Sequence, residues 1–219
     1  CCGLNAWTGK AKTGPSPRIS KVAYDKARMR TVLFGGYVGA GNGMDDQTWE
    51  WNGLTSTWTQ ATPVGGTKPS ARRLHALAYD SLSQVTVLFG GEDISNTIKG
   101  DTWEWNGTWT PRVVAGPPAR ENHAMAYDSS RHVTVLFGGQ NTGYFGDTWE
   151  WDSGLGTWSL KSSSGPSPRS YAGLAYDPVR NVTVLFGGAD NSGKKNDTWE
   201  WDGTAWIPIT PSGPPPPAR

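Results

Sequence analysis

The sequence predicts an all-β protein, a β-propeller of four-stranded antiparallel blades, and three observations predict it. One phrase of sequence recurs four times at a spacing of about 50 residues. Each copy divides into four short runs rich in β-branched and aromatic residues, separated by Gly, Asn, Asp, Pro and Ser. No stretch carries the apolar periodicity of a helix. Four-stranded units at such a period, without helices, are blades set around an axis.

Strand A of each copy runs from Arg18, Arg72, Arg120 or Arg169 to an Ala-Tyr-Asp at 23–25, 78–80, 126–128 or 175–177. The closing Asp suits an Asx turn into the next strand. Strand B is the Val-Leu-Phe-Gly-Gly run ending at Gly36, Gly91, Gly139 and Gly188. Its apolar residues do not alternate, as expected of a strand covered on both faces. The diglycine suits positive φ or a close approach at a crowded blade edge.

Strand C is Thr-Trp-Glu-Trp, at 48–51, 102–105, 148–151 and 198–201. Period two puts Trp49 and Trp51 on one face and Glu50 on the other. Strand D carries a third Trp, at 58, 109, 158 and 206, so all but one of the 13 Trp fall in repeated slots. Such recurrence marks core between blades rather than sugar-stacking platforms. Glu50, Glu104, Glu150 and Glu200 then enter the opposite blade interface and need partners there. One Arg per blade is on offer, and the expectation is that Arg18, Arg72, Arg120 and Arg169 pair with these Glu, within or between blades.

Composition is consistent with this reading. The chain has 219 residues, 36% of them hydrophobic, enough for a substantial core. With 20 basic and 19 acidic residues the net charge is +1, which gives no electrostatic case for nucleic acid or an anionic membrane. Apolar runs such as Val85–Phe89 are far too short to span a bilayer. Residues 1–18 contain no apolar signal-peptide core.

The diglycine that closes strand B and the Trp that follows in strand C, repeated four times, resemble the kelch family. The resemblance covers the whole chain, within the wider galactose-oxidase-like propeller superfamily. It differs from WD repeats, which would show a Gly-His and a Trp-Asp in each shorter blade. Here Trp151-Asp152 and Trp201-Asp202 lie inside strand C without a Gly-His. The resemblance implies a single kelch propeller region over 1–219. Blades 1 to 4 fall at 18–60, 72–112, 120–161 and 169–210. Residues 1–12 (Gly3 to Trp7 in particular) read as strand D of an incomplete blade, and 211–219 as the strand-A stub of a following one.

No catalytic set is found. Galactose-oxidase-like copper chemistry would need paired His, two Tyr and a crosslinked Cys. The chain has only His75, His123 and His132, and its only cysteines are Cys1 and Cys2. His75 and His123 share a strand-A slot in two repeats, which favours packing over metal ligation. Nitrile-specifier-type kelch proteins carry a Glu/Asp/His iron set; Asp128 and His132 offer half the spacing, but position 124 is Ala. No nucleophile elbow, P-loop or CxxC is present. No enzyme activity, metal or other cofactor is expected.

Variation points elsewhere. The loops between strands B and C, Tyr37–Asp45, Glu92–Gly100, Gln140–Gly146 and Ala189–Asn196, differ in length and content. In an up-and-down blade they emerge on the same face as the Pro-rich D-to-A connections, where a rigid scaffold usually carries its binding residues. Candidate ligand-binding residues are Tyr37, Glu92, Asp93, Asn141, Tyr144, Phe145, Asp190, Lys194 and Lys195. Tyr144 and Phe145, adjacent in a Gly-flanked loop, are the best anchors. Kelch adaptors of ubiquitin ligases hold acidic peptides with arginines near the start of strand A; the motif arginines lie at matching places, but their recurrence in every blade points to structure.

The expected function is a non-catalytic scaffold recognising a protein or a glycan on the B–C/D–A loop face. The alternatives are a self-assembling half-propeller, or a fragment of a galactose-oxidase- or mutarotase-like enzyme whose site lies elsewhere. Four complete blades with a leading D strand and a trailing stub are compatible with a stretch of a longer protein, a closed four-bladed ring, or a homo-oligomer joined through open blade edges. The composition leans toward a bacterial, extracellular or cell-surface protein. Cys1 and Cys2 are adjacent and staple nothing.

Overall fold

The computed structural model describes residues 13–39, 43–61, 66–214 and 216–218. Among them there are strands and turns but no helix, and hence none long and apolar enough to cross a membrane. The expected leading strand, with Trp7 and both cysteines, lies outside the described residues, as does Arg219. The described part of 211–219 runs without strand pairing.

Four antiparallel sheets follow one another along the chain. The first is β1 (Ile19–Asp25), β2 (Arg30–Tyr37), β3 (Met44–Asn52) and β4 (Thr57–Ala61), hydrogen-bonded in chain order. In the second, a short β5 (Arg72–Arg73) leads into β6 (Ala76–Asp80) and β7 (Val85–Phe89). A short β8 (Glu92–Asp93) pairs back on β5 before β9 (Thr102–Trp105) and β10 (Trp109–Arg112) complete that sheet. The third is β11 (Ala124–Asp128), β12 (Val133–Phe137), β13 (Thr148–Asp152) and β14 (Thr157–Ser162). The fourth is β15 (Gly173–Asp177), β16 (Val182–Phe186), β19 (Thr198–Trp201) and β20 (Trp206–Ile209), with a hairpin of β17 (Ala189–Asp190) and β18 (Gly193–Lys194) between its middle strands.

Register repeats from sheet to sheet. The Val that precedes Leu-Phe in strand B faces the strand-C Glu every time: Val32 with Glu50, Val87 with Glu104, Val135 with Glu150, Val184 with Glu200. The innermost strands β1, β6, β11 and β15 neighbour one another in succession, so the sheets are blades around a common axis. Strand B is the core of each blade, and all of β7 is buried. The A-to-B turns are Asx turns as expected: Asp80 Oδ1 accepts from the Leu82 and Ser83 N–H groups at 2.9 and 3.0 Å, and Asp25, Asp128 and Asp177 do the same work.

The core lies between blades. Val32 and Phe34 of blade 1 pack with Leu77, Leu88, Trp105 and Trp109 of blade 2, and the next two junctions repeat that set. The strand-D Trp meets the preceding Phe edge-on, at 5.1 Å for Phe34–Trp109, 5.2 Å for Phe89–Trp158 and 5.2 Å for Phe137–Trp206. Polar contacts are repeated too. Trp105 Nε1 donates to Glu50 at 2.9 Å and Trp109 Nε1 to Thr48 at 2.8 Å. Trp151 and Trp158 reach Glu104 and Thr102, and Trp201 and Trp206 reach Glu150 and Thr148.

The expected Arg–Glu pairing is corrected by the structure. Arg18, Arg72, Arg120 and Arg169 pair with an Asp that precedes strand C: Asp45, Asp101, Asp147 and Asp197. The Arg stands at the loop end of its blade, beside the diglycine, whereas the Glu sits mid-strand and out of its reach. The strand-C Glu take other cations. Arg28, Arg131 and Arg180, all in A-to-B turns, reach Glu50, Glu150 and Glu200. Blade 2 has Ser83 in that turn slot, and Arg112 of β10 serves Glu104 instead.

Candidate functional site

Each motif Arg builds the loop end of its blade. Arg120 donates to Asp147 Oδ1 and Oδ2 at 2.6 and 2.9 Å, to the Gly138 carbonyl at 2.9 Å and to the Pro118 carbonyl at 3.0 Å. A fully buried guanidinium is tolerated because its fork is satisfied this completely. Burial alone would raise the Asp101 and Asp147 carboxyls, but hydrogen bonds and charge from Arg72 and Arg120 outweigh it and hold both below the usual range. Tied up in this way, the motif arginines are not a surface for acidic peptides.

The diglycine is shaped by the same corner. Gly90 and Gly91 have φ of 64° and 96°, and a Cβ on Gly90 would lie 2.5 Å from the Arg120 carbonyl oxygen. Blade 3 thus enters through space that only glycine leaves free. The residue after each motif Arg pairs across to the residue after the diglycine: Arg73 with Glu92, Glu121 with Gln140, Ser170 with Ala189. The next residue is left-handed, at Leu74, Asn122 and Tyr171. Asn122 N–H donates to the Leu74 carbonyl and Tyr171 N–H to the Asn122 carbonyl, each at 2.9 Å, so consecutive blades are laced together around the rim of the central channel.

Below the rim, strands β1, β6, β11 and β15 line a cavity of about 190 Å³, with Lys21, His123, Met125 and Leu174 on its wall. His75 and His123 are buried, edge-on to Phe34 and Phe89 at 5.8 and 5.5 Å, and neither ring nitrogen of either residue has a hydrogen-bond partner. Burial, reinforced by the Arg72 charge, pushes His75 down to about 3; burial and Arg120 take His123 well below its ordinary value. No cluster of three or more His, Cys, Asp or Glu suited to a metal occurs among the described residues.

The nine loop candidates fall into three groups. Tyr37 lies under the Arg73 guanidinium, 5.7 Å from its ring centre, and Arg73 in turn holds Glu92 at 2.8 Å. Asp93 takes the Ser95 and Thr97 N–H groups and pairs with Lys99; the Lys99 hydrogen bond holds its carboxyl low. Asp190 pairs with Lys195 at 2.9 Å and accepts from Ser192, whose hydrogen bond also holds that carboxyl low, while Lys194 is exposed on β18. These charged candidates therefore shape their own loops.

Asn141, Tyr144 and Phe145 form the third group. Asn141 donates to the Ala119 carbonyl at 3.1 Å. Phe145 lies on the Arg120 guanidinium, 4.0 Å from ring centre to Cζ, and its carbonyl accepts from Arg169 N–H at 3.0 Å. Tyr144, Phe145, Gly146 and Asp147 then form one wall of an open groove of about 400 Å³, and Ser163 to Pro168 of the D-to-A connection form the other. Sequence reasoning missed that second wall, and also Arg73 and Glu121. The signal for the last two was the variable slot directly after the invariant Arg, filled by Ile19, Arg73, Glu121 and Ser170.

A family model described as the KLHDC2/KLHL20/DRC7 Kelch-repeats domain matches residues 101–219, more than half of the chain. No curated protein matches the sequence.

Proposed function

The chain belongs to the kelch-repeat family, and on that premise we propose that it is a non-catalytic scaffold that binds a partner protein on its B–C/D–A loop face. Kelch domains generally mediate protein interactions, and the sheet-only fold suits such a role. The observation that carries the choice of face is the groove between Tyr144–Asp147 and Ser163–Pro168. Its aromatic wall is held rigid by Arg120, and its other wall presents serine hydroxyls and prolines at low conformational cost. The occupant is an extended segment of the partner, with one apolar side chain against Phe145 and Pro168 and its backbone beside Ser163, Ser164 and Ser167. A glycan ligand has less support, because most of the indoles suited to stacking on sugars are held between blades.

The test is selection of binders from a random peptide library on the 219-residue chain, followed by hydrogen-exchange mapping. Peptides that protect 144–147 and 163–168, and that lose about tenfold or more in affinity to Tyr144→Ser, support the reading. Binders that map to the A–B and C–D turns at the other end, or a selection that yields none, refute it.

A further inference from the structure

One buried carboxylate is left half satisfied. Among the described residues, Asp25, Glu104, Asp128 and Glu150 are buried against an arginine, and buried Asp80 holds two turn N–H groups. Glu121 is only 8% exposed and makes no ion pair among those residues. Its Oε1 accepts from Gln140 Nε2 at 3.0 Å and from Asn122 Nδ2 at 3.2 Å, both neutral donors, and its Oε2 has no hydrogen-bond partner. A buried carboxylate oxygen with neither donor nor cation is costly, and in a native fold it calls for a partner.

Its surroundings are present on both sides. Glu121 stands in the rim slot that follows the motif Arg of blade 3, with blade 2 before it and blade 4 after it. The same slot of blade 2 holds Arg73, but that guanidinium is taken up by Glu92 and lies over Tyr37. In blade 4 the slot holds Ser170, which is buried and whose Oγ also lacks a partner. The bond from Tyr171 N–H to the Asn122 carbonyl joins the residues directly after Ser170 and Glu121, so the two unsatisfied groups flank one stretch of the rim. Glu121 is tied to the groove as well: it exchanges backbone bonds with Gln140 at 2.9 Å, and Gln140 bridges to Tyr144.

We infer that Glu121 receives a cationic N–H group, a lysine ammonium or an arginine guanidinium carried by the partner segment that lies in the groove. The inference rests on the reading of the loop face given above. Such a group supplies both things that Oε2 lacks, a donor and a positive charge, and its remaining N–H groups can donate to the Ser170 hydroxyl oxygen. A neutral donor such as water would complete the hydrogen bond but leave the charge uncompensated. The partner segment is therefore basic at one position, opposite in charge to the acidic peptides considered for the motif arginines.

The experiment is the random-peptide selection run in parallel on the wild type and on Glu121→Gln, which keeps the shape of the side chain and removes its charge. Thermal unfolding checks that the variant is folded. Wild-type binders should carry a lysine or arginine at one position, and replacing it by norleucine should cost about tenfold or more in affinity. On Glu121→Gln the same replacement should cost less than about threefold, and binders selected on the variant should show no basic preference. A second arm uses arginine amide alone. It should raise the thermal midpoint of the wild type above that in sodium chloride of equal ionic strength, and leave Glu121→Gln unmoved. Binders that protect 144–147 and 163–168 without a basic preference, or a basic residue whose removal costs the same on both proteins, would overturn the inference and leave the groove standing. Binders that map elsewhere, with the arginine amide shift intact, would overturn the groove and leave the cation site standing. Should the selection yield no binder, the amide arm decides: a shift shared by both proteins, or none, overturns the inference.

Discussion

The two buried histidines make stability depend on pH in a window where carboxylates are silent. In the unfolded chain each imidazole titrates near 6.5, whereas folding holds His75 at about 3 and His123 well below its ordinary value. Both folded values are depressed, so as pH falls below 6.5 the unfolded state takes up protons that the native state refuses, and stability drops until the folded value is reached. Between pH 7.5 and 5.5 the loss is about 1 kcal/mol for His75, and His123 acts in the same direction. The Asp101, Asp147 and Asp197 carboxyls, held low by their arginines, act elsewhere: their contribution is intact above about 3.8 and is lost as pH falls below that. The assay is urea unfolding at fixed protein concentration across the window, for the wild type and for His75→Ala with His123→Ala. Blade 4 already carries Ala172 in the same slot, so the substitution is structurally tolerated. The double variant starts less stable at pH 7.5, from lost packing, but its pH slope should vanish. A wild type whose stability is flat from 7.5 to 5.5, or a double variant that keeps the slope, would refute the reasoning.

Other substitutions separate the forces at work. Arg72→Lys removes the two-pronged contact to Asp101 at 2.6 and 2.8 Å and should cost about 2–4 kcal/mol in chemical denaturation. Gly90→Ala combines positive φ with a clash against the Arg120 carbonyl and should cost about 2–3 kcal/mol. Gly107→Ala, at φ 112° with nothing within 4 Å, should cost only the backbone strain, about 1 kcal/mol. Trp151→Phe breaks the bond to Glu104 inside a junction and should cost about 2–3 kcal/mol, whereas Trp51→Phe, at a half-buried indole of blade 1, should cost less than half of that.

Much of this was legible because repetition turns single residues into patterns. Four aligned copies show which face Trp49, Trp51 and Glu50 take, that Asp80 and its counterparts end a strand, and that the diglycine is a crowded corner. What the pattern could not give is depth along a strand. Period two assigns a face, but a partner must also lie at the same height, and Arg18 at the loop end is level with Asp45 rather than with Glu50. The cations that serve Glu50, Glu150 and Glu200 share one turn slot, Arg28, Arg131 and Arg180, but blade 2 breaks that column with Ser83 and draws Arg112 from strand D, which no alignment column reveals. The binding face shows the same division. Tyr144 and Phe145 stood out as adjacent aromatics in a short loop, but their opposite wall, Ser163–Pro168, is set beside them only by the turn of one blade against the next.

The repeated junction also bears on how such a chain changes size. Because the two halves of each contact come from equivalent residues of successive repeats, a recombination that joins equivalent points leaves every remaining contact whole. Joining Ala78 directly to Tyr127 would excise one repeat, yet Trp151 would still find a strand-C glutamate, now Glu50, and Trp158 a threonine, now Thr48. Nearest-neighbour stacking of this kind makes stability roughly a sum over repeats and junctions. Blade number is then a matter of copy number in the gene, open to drift by unequal crossing-over, while the variable loops diversify independently.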